Sequence, residues 1–482
     1  MTDFIPAYPY RLPKRPSALK RVLLARKSLI GMWEEDAFSD YEFVSTQVLA
    51  RKVILCNSPE SIQFAFSTRN ASFERKSPQE RFALAPIIGD GHFITDGETW
   101  KRRRRLIAPI IHVSHLAEFV PTMVEVASET RDRWLKRAAG EEFEVLSEMA
   151  QLTAEIICRS VFGRELGHEH AQQVVDSFSE YQRQIAQLDM FSFLGLPDSF
   201  PRPRSRALRR AVAGIHDVLD SIIASYRARK KDKNDVSLVG RLMDAHDEET
   251  GERIQGEALR NEVAVLFMAG HEGNANALTW TWYLLSQAPD VERKLHEELD
   301  RVLDGRLPTL ADLPKLVYTK AVLDESMRLY PPVPFLSREA IVEETFKGET
   351  IPRGSLIFVV PWLIQRHKKF WDKPDHFMPE RFLPENGPLP SKFAYIPFSI
   401  GPRVCSGVGF GSAEGILCVA TIAQALRLRL KAGYKVEPVC RLTLRPDGGL
   451  PMSAEARERV ASETTQTAQT SAAAMACPFG HG

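Results

Sequence analysis

Phe398-Ser399-Ile400-Gly401-Pro402-Arg403-Val404-Cys405-Ser406-Gly407 decides how this chain is read, because it sets one cysteine between two glycines just ahead of an apolar helix. Gly401 and Gly407 are expected to allow backbone geometry that a side chain would obstruct. The helix beginning near Ser406 is expected to aim its positive end and free amides at the Cys405 sulfur, favouring thiolate over thiol. No second Cys or His stands at ordinary zinc-ligand spacing, so the loop reads as one that gives a metal a single protein ligand. An isolated cysteine is more often a small buried hydrophobe, and the flanking pattern argues against that here.

Outward from this loop, the 482 residues exceed the usual size of one domain, yet no linker interrupts them between the first prolines and the C-terminal tail. One catalytic domain over 1–457 and a disordered tail over 458–482 are expected. A net charge of +1 and 44% hydrophobic residues suit a soluble enzyme with a large core and argue against a nucleic-acid binder. Six cysteines, Cys56, Cys158, Cys405, Cys418, Cys440 and Cys477, have no disulfide-framework spacing, which points to a reducing cytoplasm. Pro6, Pro9, Pro13 and Pro16 precede an apolar stretch from Val22 to Trp33 that Arg26 and Lys27 interrupt. Neither a signal peptide nor a transmembrane anchor is expected, and the basic N-terminal segment suits at most a peripheral contact. The tail is rich in Ser, Thr, Ala and Gln, so its Cys477-Pro478 pair reads as solvated chain rather than a metal site.

Short β runs such as Lys52-Val53-Ile54-Leu55 precede a long middle with helical periodicity, from about Trp100 to Leu329. Hairpin turns between Phe346 and Ser355 then feed a strand from Leu356 to Val360. The expected class is mainly α with a smaller β region.

The ten-residue loop resembles the haem-binding signature of the cytochrome P450 family at every defining position. The resemblance implies a cytochrome P450-like fold around a buried haem b, with Cys405 as the axial ligand of the iron and Phe398, Gly401, Arg403 and Gly407 shaping the ligand loop. Glu325 and Arg328, three apart on a probable helix, would alone be an ordinary pair contributing about 0.2–0.5 kcal/mol. Together with Arg381 in Phe377-Met378-Pro379-Glu380-Arg381-Phe382, the family resemblance makes them a buried network bracing the haem loop. It also assigns Trp100 and Arg104, four apart on one helical face, to one haem propionate and Arg338 to the other. Lys101, Arg102 and Arg103 read as a solvated charge run, whose exposed members suit a face for an acidic electron donor.

The same resemblance places a substrate pocket over the distal haem face, with His92, Phe93, Phe191, Phe193, Val265, Ala269, Val333, Phe335 and Leu450 as candidate walls. Each is by itself ordinary core; as a set they favour a hydrophobic organic substrate, such as a terpenoid, fatty acyl or aromatic molecule. The helix from Val263 to Asn274 contains two glycines, each costing about 0.8–1.0 kcal/mol relative to Ala, so a local distortion over the haem is expected. In the family an acid there is usually followed by Thr, whose hydroxyl aids proton delivery. Glu272 keeps the acid, Gly273 occupies the Thr position, and Asn274, an ordered water or a substrate hydroxyl is expected to supply the missing group.

These readings imply a cytoplasmic haem-thiolate monooxygenase that activates dioxygen to oxidise a hydrophobic substrate. No flavin or iron–sulfur module follows Met452, so electrons are expected from NAD(P)H through a reductase and a ferredoxin or flavodoxin. The alternatives are peroxide-driven or other haem-dependent oxidation, and a non-catalytic haem sensor or ligand-binding protein.

Overall fold

The computed structural model describes residues 4–163, 172–173, 176–181, 183–185, 189–228, 236–247 and 249–458; of the expected tail, all but Glu458 lies outside them. Helix α1 (Ala18–Lys27) starts at Ser17, whose hydroxyl accepts the Lys20 N–H. The hairpin β1 (Phe43–Val48) and β2 (Arg51–Cys56) turns through Leu49, held at φ 51°. After β3 (Arg75–Lys76), α2 (Pro78–Ile88) is capped by Ser77 with Pro at its first turn. Helices α3 (Gly97–Ile110) and α4 (Leu116–Leu135) lead to β4 (Glu142–Glu144) and α5 (Val145–Phe162). The short α6 (Met190–Phe193), α7 (Arg206–Ala228), α8 (Leu238–Asp244), α9 (Gly256–Gln287), α10 (Pro289–Leu303) and α11 (Val317–Leu329) complete the helical middle.

Sheet structure then returns with β5 (Leu336–Glu339), β6 (Glu344–Phe346), β7 (Glu349–Ile351) and β8 (Leu356–Val359). Lys347 and Gly348, both at positive φ, make the tight turn between β6 and β7. Helix α12 (Val408–Ala423) follows the cysteine loop, and β9 (Leu426–Leu430), β10 (Pro438–Cys440), β11 (Leu444–Pro446) and β12 (Pro451–Ala456) end the described chain. The larger sheet has the order β1-β2-β8-β5-β3, and β12 lies between β4 and β9.

Helix α9 is apolar on nearly every side for most of its length, and it is buried against α2, α5, α7, α11 and α12. It remains α-helical through Gly270 and Gly273, so the expected distortion is absent. Gly270 serves packing instead, because a Cβ there would meet the Ile157 side chain of α5 at 2.6 Å. Among the described residues, one stretch, Gly97–Leu135, is long and apolar enough to cross a membrane; it is two helices, α3 and α4, separated around residues 111–115. Their inner residues, including Ile107, Met123 and Ala127, belong to the main hydrophobic core.

Candidate active site

Gly401 sits at φ +75°, and a Cβ there would overlap the Phe66 carbonyl, so glycine is required at the bend. Gly407 differs from expectation. It caps α12 at φ −92°, and a Cβ would lie 4.0 Å from the Cys405 Sγ, an ordinary contact. The loop closes through the Cys405 N–H, which donates to the Phe398 carbonyl at 2.9 Å. Cys405 is exposed and lines the cavity. Burial raises its thiol pKa above the usual value, opposed by the Gly407 N–H at the sulfur and by the Arg104 charge. The expected bias toward free thiolate is therefore outweighed by burial. A metal cation bound there would supply the missing stabilisation of the anion.

Arg104 braces this loop, donating to the Val404 carbonyl at 2.9 Å and to the Ser406 hydroxyl. The Arg403 guanidinium lies 4.1 Å above the Trp100 ring and donates to the Thr95 carbonyl at 2.5 Å. Arg338 is fully buried, stacks 4.7 Å over Phe66, and among the described residues donates only to the carbonyl of its neighbour Ser337. Lys76 joins them, with one acid, Glu80, at 3.0 Å. Burial and then the neighbouring Arg338 push Arg403 down to about 10 and Lys76 down to about 8, and burial lowers Arg338. Arg403 Nε is buried with no hydrogen-bond partner among the described residues. A cation cluster short of anions beside the cysteine loop fits the two carboxylates of a haem. The outer part of the basic run differs from a uniformly solvated stretch: Lys101 and Arg102 are on the surface, but Arg103 is buried. Glu262, fully buried on α9, holds it at 2.8 Å, with Asp90 at 2.6 Å.

Above Cys405 lies a cavity of about 600 Å³, within the range of small-molecule sites. His92, Phe93, Phe193, Val265, Ala269, Val333 and Phe335 line it, as do Glu272, Gly273 and Asn274. His92 is fixed by Glu262, which accepts its backbone N–H at 2.9 Å and meets its Nδ1 at 2.6 Å. Phe191 and Leu450 are outside the lining. The Phe191 ring turns to Phe200 at 5.5 Å, on the other side of α6 from Phe193. Leu450 is drawn into the sheet, where its backbone bonds Glu144 and Val145 and its neighbour Pro451 pairs with β4. Met452 is likewise committed to β12 pairing. The wall expected at Leu450 is supplied by Arg441, Leu442 and Thr443, the turn between β10 and β11.

Glu272 accepts a hydrogen bond from Thr443 Oγ1. Asn274 Nδ2 donates to Glu414 Oε2 at 2.7 Å, and Glu414 Oε1 is buried without a partner among the described residues. Sequence reasoning did not single out Glu414, because its contact joins α12 to α9 across 140 residues. Burial pushes its carboxyl up to about 8, so it is neutral at physiological pH. Between the ordinary 4.5 and about 8, the folded protein keeps a proton that the unfolded chain releases. Stability therefore falls as pH rises through that window, and the penalty is complete above it. Glu414→Gln, which keeps an acceptor for Asn274, is expected to match wild type near pH 5 and to exceed it above pH 8 by on the order of 2–4 kcal/mol. Denaturant midpoints at the two pH values measure this, and equal pH slopes would count against a buried titrating Glu414.

Behind the loop, Arg328 on α11 forms a fork with Glu325, at 2.6 and 2.8 Å, and both are fully buried. Arg381 reaches Glu325 at 3.2 Å. Arg328 also donates to the Gln365 and Pro374 carbonyls, both at 2.7 Å. Gln365, not anticipated from sequence, carries the connection onward: its Oε1 accepts the Ile396 N–H at 2.9 Å, where the cysteine loop begins.

The cytochrome P450 family model matches residues 32–449. This chain belongs to the cytochrome P450 family. Among relatives, it is 31% identical to cyclooctatin synthase of Streptomyces melanosporofaciens, over 89% of this chain and 92% of that one. It is 30% identical to the chloroplastic protein LUTEIN DEFICIENT 5 of Arabidopsis thaliana, over 93% of this chain and 78% of the relative. Pentalenene oxygenase of Streptomyces avermitilis matches at 29%, over 74% and 78%. The crystal structure of the cytochrome P450DA heme domain superposes with TM-score 0.75 at 24% identity, covering 87% of this chain and 90% of the other. As a cytochrome P450 the chain is an oxidoreductase with a haem cofactor.

Proposed function

We propose that this cytochrome P450 is a monooxygenase that inserts one oxygen atom from dioxygen into an apolar, terpenoid-class substrate. The observation that carries the reading is one cysteine thiol, Cys405, lining a largely apolar cavity of about 600 Å³. Relatives named cyclooctat-9-en-7-ol 5-monooxygenase and pentalenene oxygenase support the substrate class. Electrons come from NAD(P)H through a reductase and a ferredoxin or flavodoxin, in the cytoplasm, and residues 1–457 form one catalytic unit. In this reading Cys405 would hold the haem iron, Phe398 and Arg403 would line the ligand loop, and Trp100 and Arg104 would receive one propionate and Arg338 the other, with Arg403 and Lys76 as further cations beside them. Bound haem supplies the electron-rich iron centre at which dioxygen is cleaved.

The chain's own residues position substrate and protons. Phe93, Phe193, Val265 and Phe335 exclude water from the apolar substrate. Thr443 holds the Glu272 carboxylate at the cavity, and Glu414 fixes the Asn274 amide. Gly273 leaves open space, with no atom within 4 Å of a built Cβ, where a water or a substrate group takes the place of the family's threonine hydroxyl. Gly273→Thr fills that space, and Asn274→Ala removes the amide that Glu414 orients. Both are expected to lower product formed per reductant consumed, by up to ~100-fold, the lower end of what a positioned proton donor contributes. A rise in coupling in Gly273→Thr would mean that the native segment has no relay of its own. The reaction itself is tested by turnover of a terpenoid panel with a reconstituted ferredoxin system and, separately, with peroxide. Product under donor and dioxygen supports monooxygenation; product under peroxide alone replaces it with a peroxide-driven oxidation.

A further inference from the structure

His92 brings an imidazole to a cavity whose lining includes Phe93, Val265, Ala269 and Phe335. The backbone before it is pressed against α9. Gly89 sits at φ +50°, where a Cβ would overlap the Asn261 side chain, and a Cβ on Gly91 would meet the Val265 side chain at 2.6 Å. Between the two glycines, Asp90 accepts from Asn261 Nδ2 at 2.9 Å and from Arg103 at 2.6 Å. The segment leading to His92 is therefore tied to both α9 and α3, and the ring is buried where it stands.

Glu262 then decides what the ring can offer. Its Oε1 accepts from two fixed donors, the His92 backbone N–H at 2.9 Å and Arg103 Nη1 at 2.8 Å. Its Oε2 faces His92 Nδ1 at 2.6 Å. A carboxylate only accepts, so Nδ1 carries the proton of the neutral ring and Nε2 keeps its lone pair. Nε2 makes no hydrogen bond among the described residues, and it is not sealed from the cavity that the ring lines. Other polar side chains of the lining are committed within the protein: Gln79 to Asp189 and Ser192, and Glu80 to Lys76 and Ser337. An acceptor among apolar side chains is matched by a hydroxyl hydrogen. Against hydrocarbon it loses its water and gains nothing.

We propose that His92 Nε2, set as an acceptor by Glu262, receives a hydroxyl group of an otherwise apolar substrate, so that the cavity selects an alcohol over its parent hydrocarbon. The inference rests on the apolar-substrate reading above and deepens it: the substrate arrives from a reaction that has already installed a hydroxyl. The test titrates the full-length holoprotein with two sets of probes and follows the haem absorbance, so it needs no turnover. The sets are borneol, bornyl methyl ether and camphor, and the larger cedrol with cedryl methyl ether. Wild type is expected to bind the alcohol of at least one set about 3–10-fold tighter than its methyl ether, which keeps the oxygen and lacks the donor. His92→Phe is expected to abolish that ratio.

Glu262→Gln is the second variant, and it tests the tautomer. The amide oxygen must replace Oε1, where two donors converge, so the amide NH2 faces Nδ1 and the ring proton moves to Nε2. This variant is expected to lose the preference for the alcohol and to bind camphor, whose carbonyl accepts, more tightly than wild type does. A residue that merely held the fold would weaken every probe together. An alcohol-to-ether ratio that is the same in wild type and His92→Phe overturns the proposal, as does one that survives Glu262→Gln. Haem loss from a folded His92→Phe would assign Nε2 to the cofactor and overturn it too. No spectral response to any probe would defeat the apolar-substrate reading itself, and this inference with it.

Discussion

Cys405→His is expected to lose the red-shifted Soret band that thiolate-ligated haem shows when reduced and bound to carbon monoxide, and turnover is expected to fall to that of protein-free haem. The expectation rests on access as well as motif. Among the described residues, Cys56, Cys158, Cys418 and Cys440 are all buried and none lines the cavity, so no second thiol can take over. The loop is also held on both sides of the cysteine, by the Phe398 carbonyl at its N–H and by Arg104 at Val404 and Ser406. A histidine there presents a neutral nitrogen, which pushes far less electron density onto iron than a thiolate does. An unchanged spectrum in this variant would remove Cys405 from the role of ligand.

The second large effect concerns the buried fork behind the loop. Arg328→Ala is expected to destabilise the fold by about 3–5 kcal/mol, because it leaves the Glu325 carboxylate buried with only the partly exposed Arg381 as a cation. Glu325→Gln is expected to cost less, since the amide still accepts from Arg328 and from the Met378 N–H that Glu325 Oε1 now receives at 2.9 Å. The Gln365–Ile396 contact links this network to the cysteine loop, so haem is expected to be lost before global unfolding. Haem absorbance followed alongside far-ultraviolet circular dichroism during denaturation reads both. A loss below ~1 kcal/mol in Arg328→Ala, with the two signals coincident, would mark the fork as no more than a surface-type pair.

The features legible in the sequence were those set by local geometry. The bend at Gly401, the β6–β7 turn and the three-residue spacing of Glu325 and Arg328 each follow from backbone conformation over a few residues. The long apolar helix α9 was equally readable, since a segment apolar on nearly every side has to be buried. What escaped depended on partners distant in the chain. Arg103 looks like Lys101 and Arg102 until Glu262, 159 residues away, needs a cation. Leu450 and Leu442 are equally apolar, and strand pairing alone decides that the first enters the sheet and the second the cavity. The balance at Cys405 likewise depends on enclosure by the whole protein, which outweighs the local helix end and its amides.

The hydrogen bond from Thr443 to Glu272 joins two requirements that an enzyme lineage would otherwise adjust separately. Residues 441–443 form part of the wall against which a substrate is shaped, and the same turn holds the carboxylate of α9. A replacement selected there for a bulkier or narrower substrate also moves an acid, so a new specificity arrives with a changed use of reductant. Drift in substrate range should therefore run more freely through Phe193 and Phe335, which touch the cavity but not that acid, and variation at Thr443 should be the slower of the two.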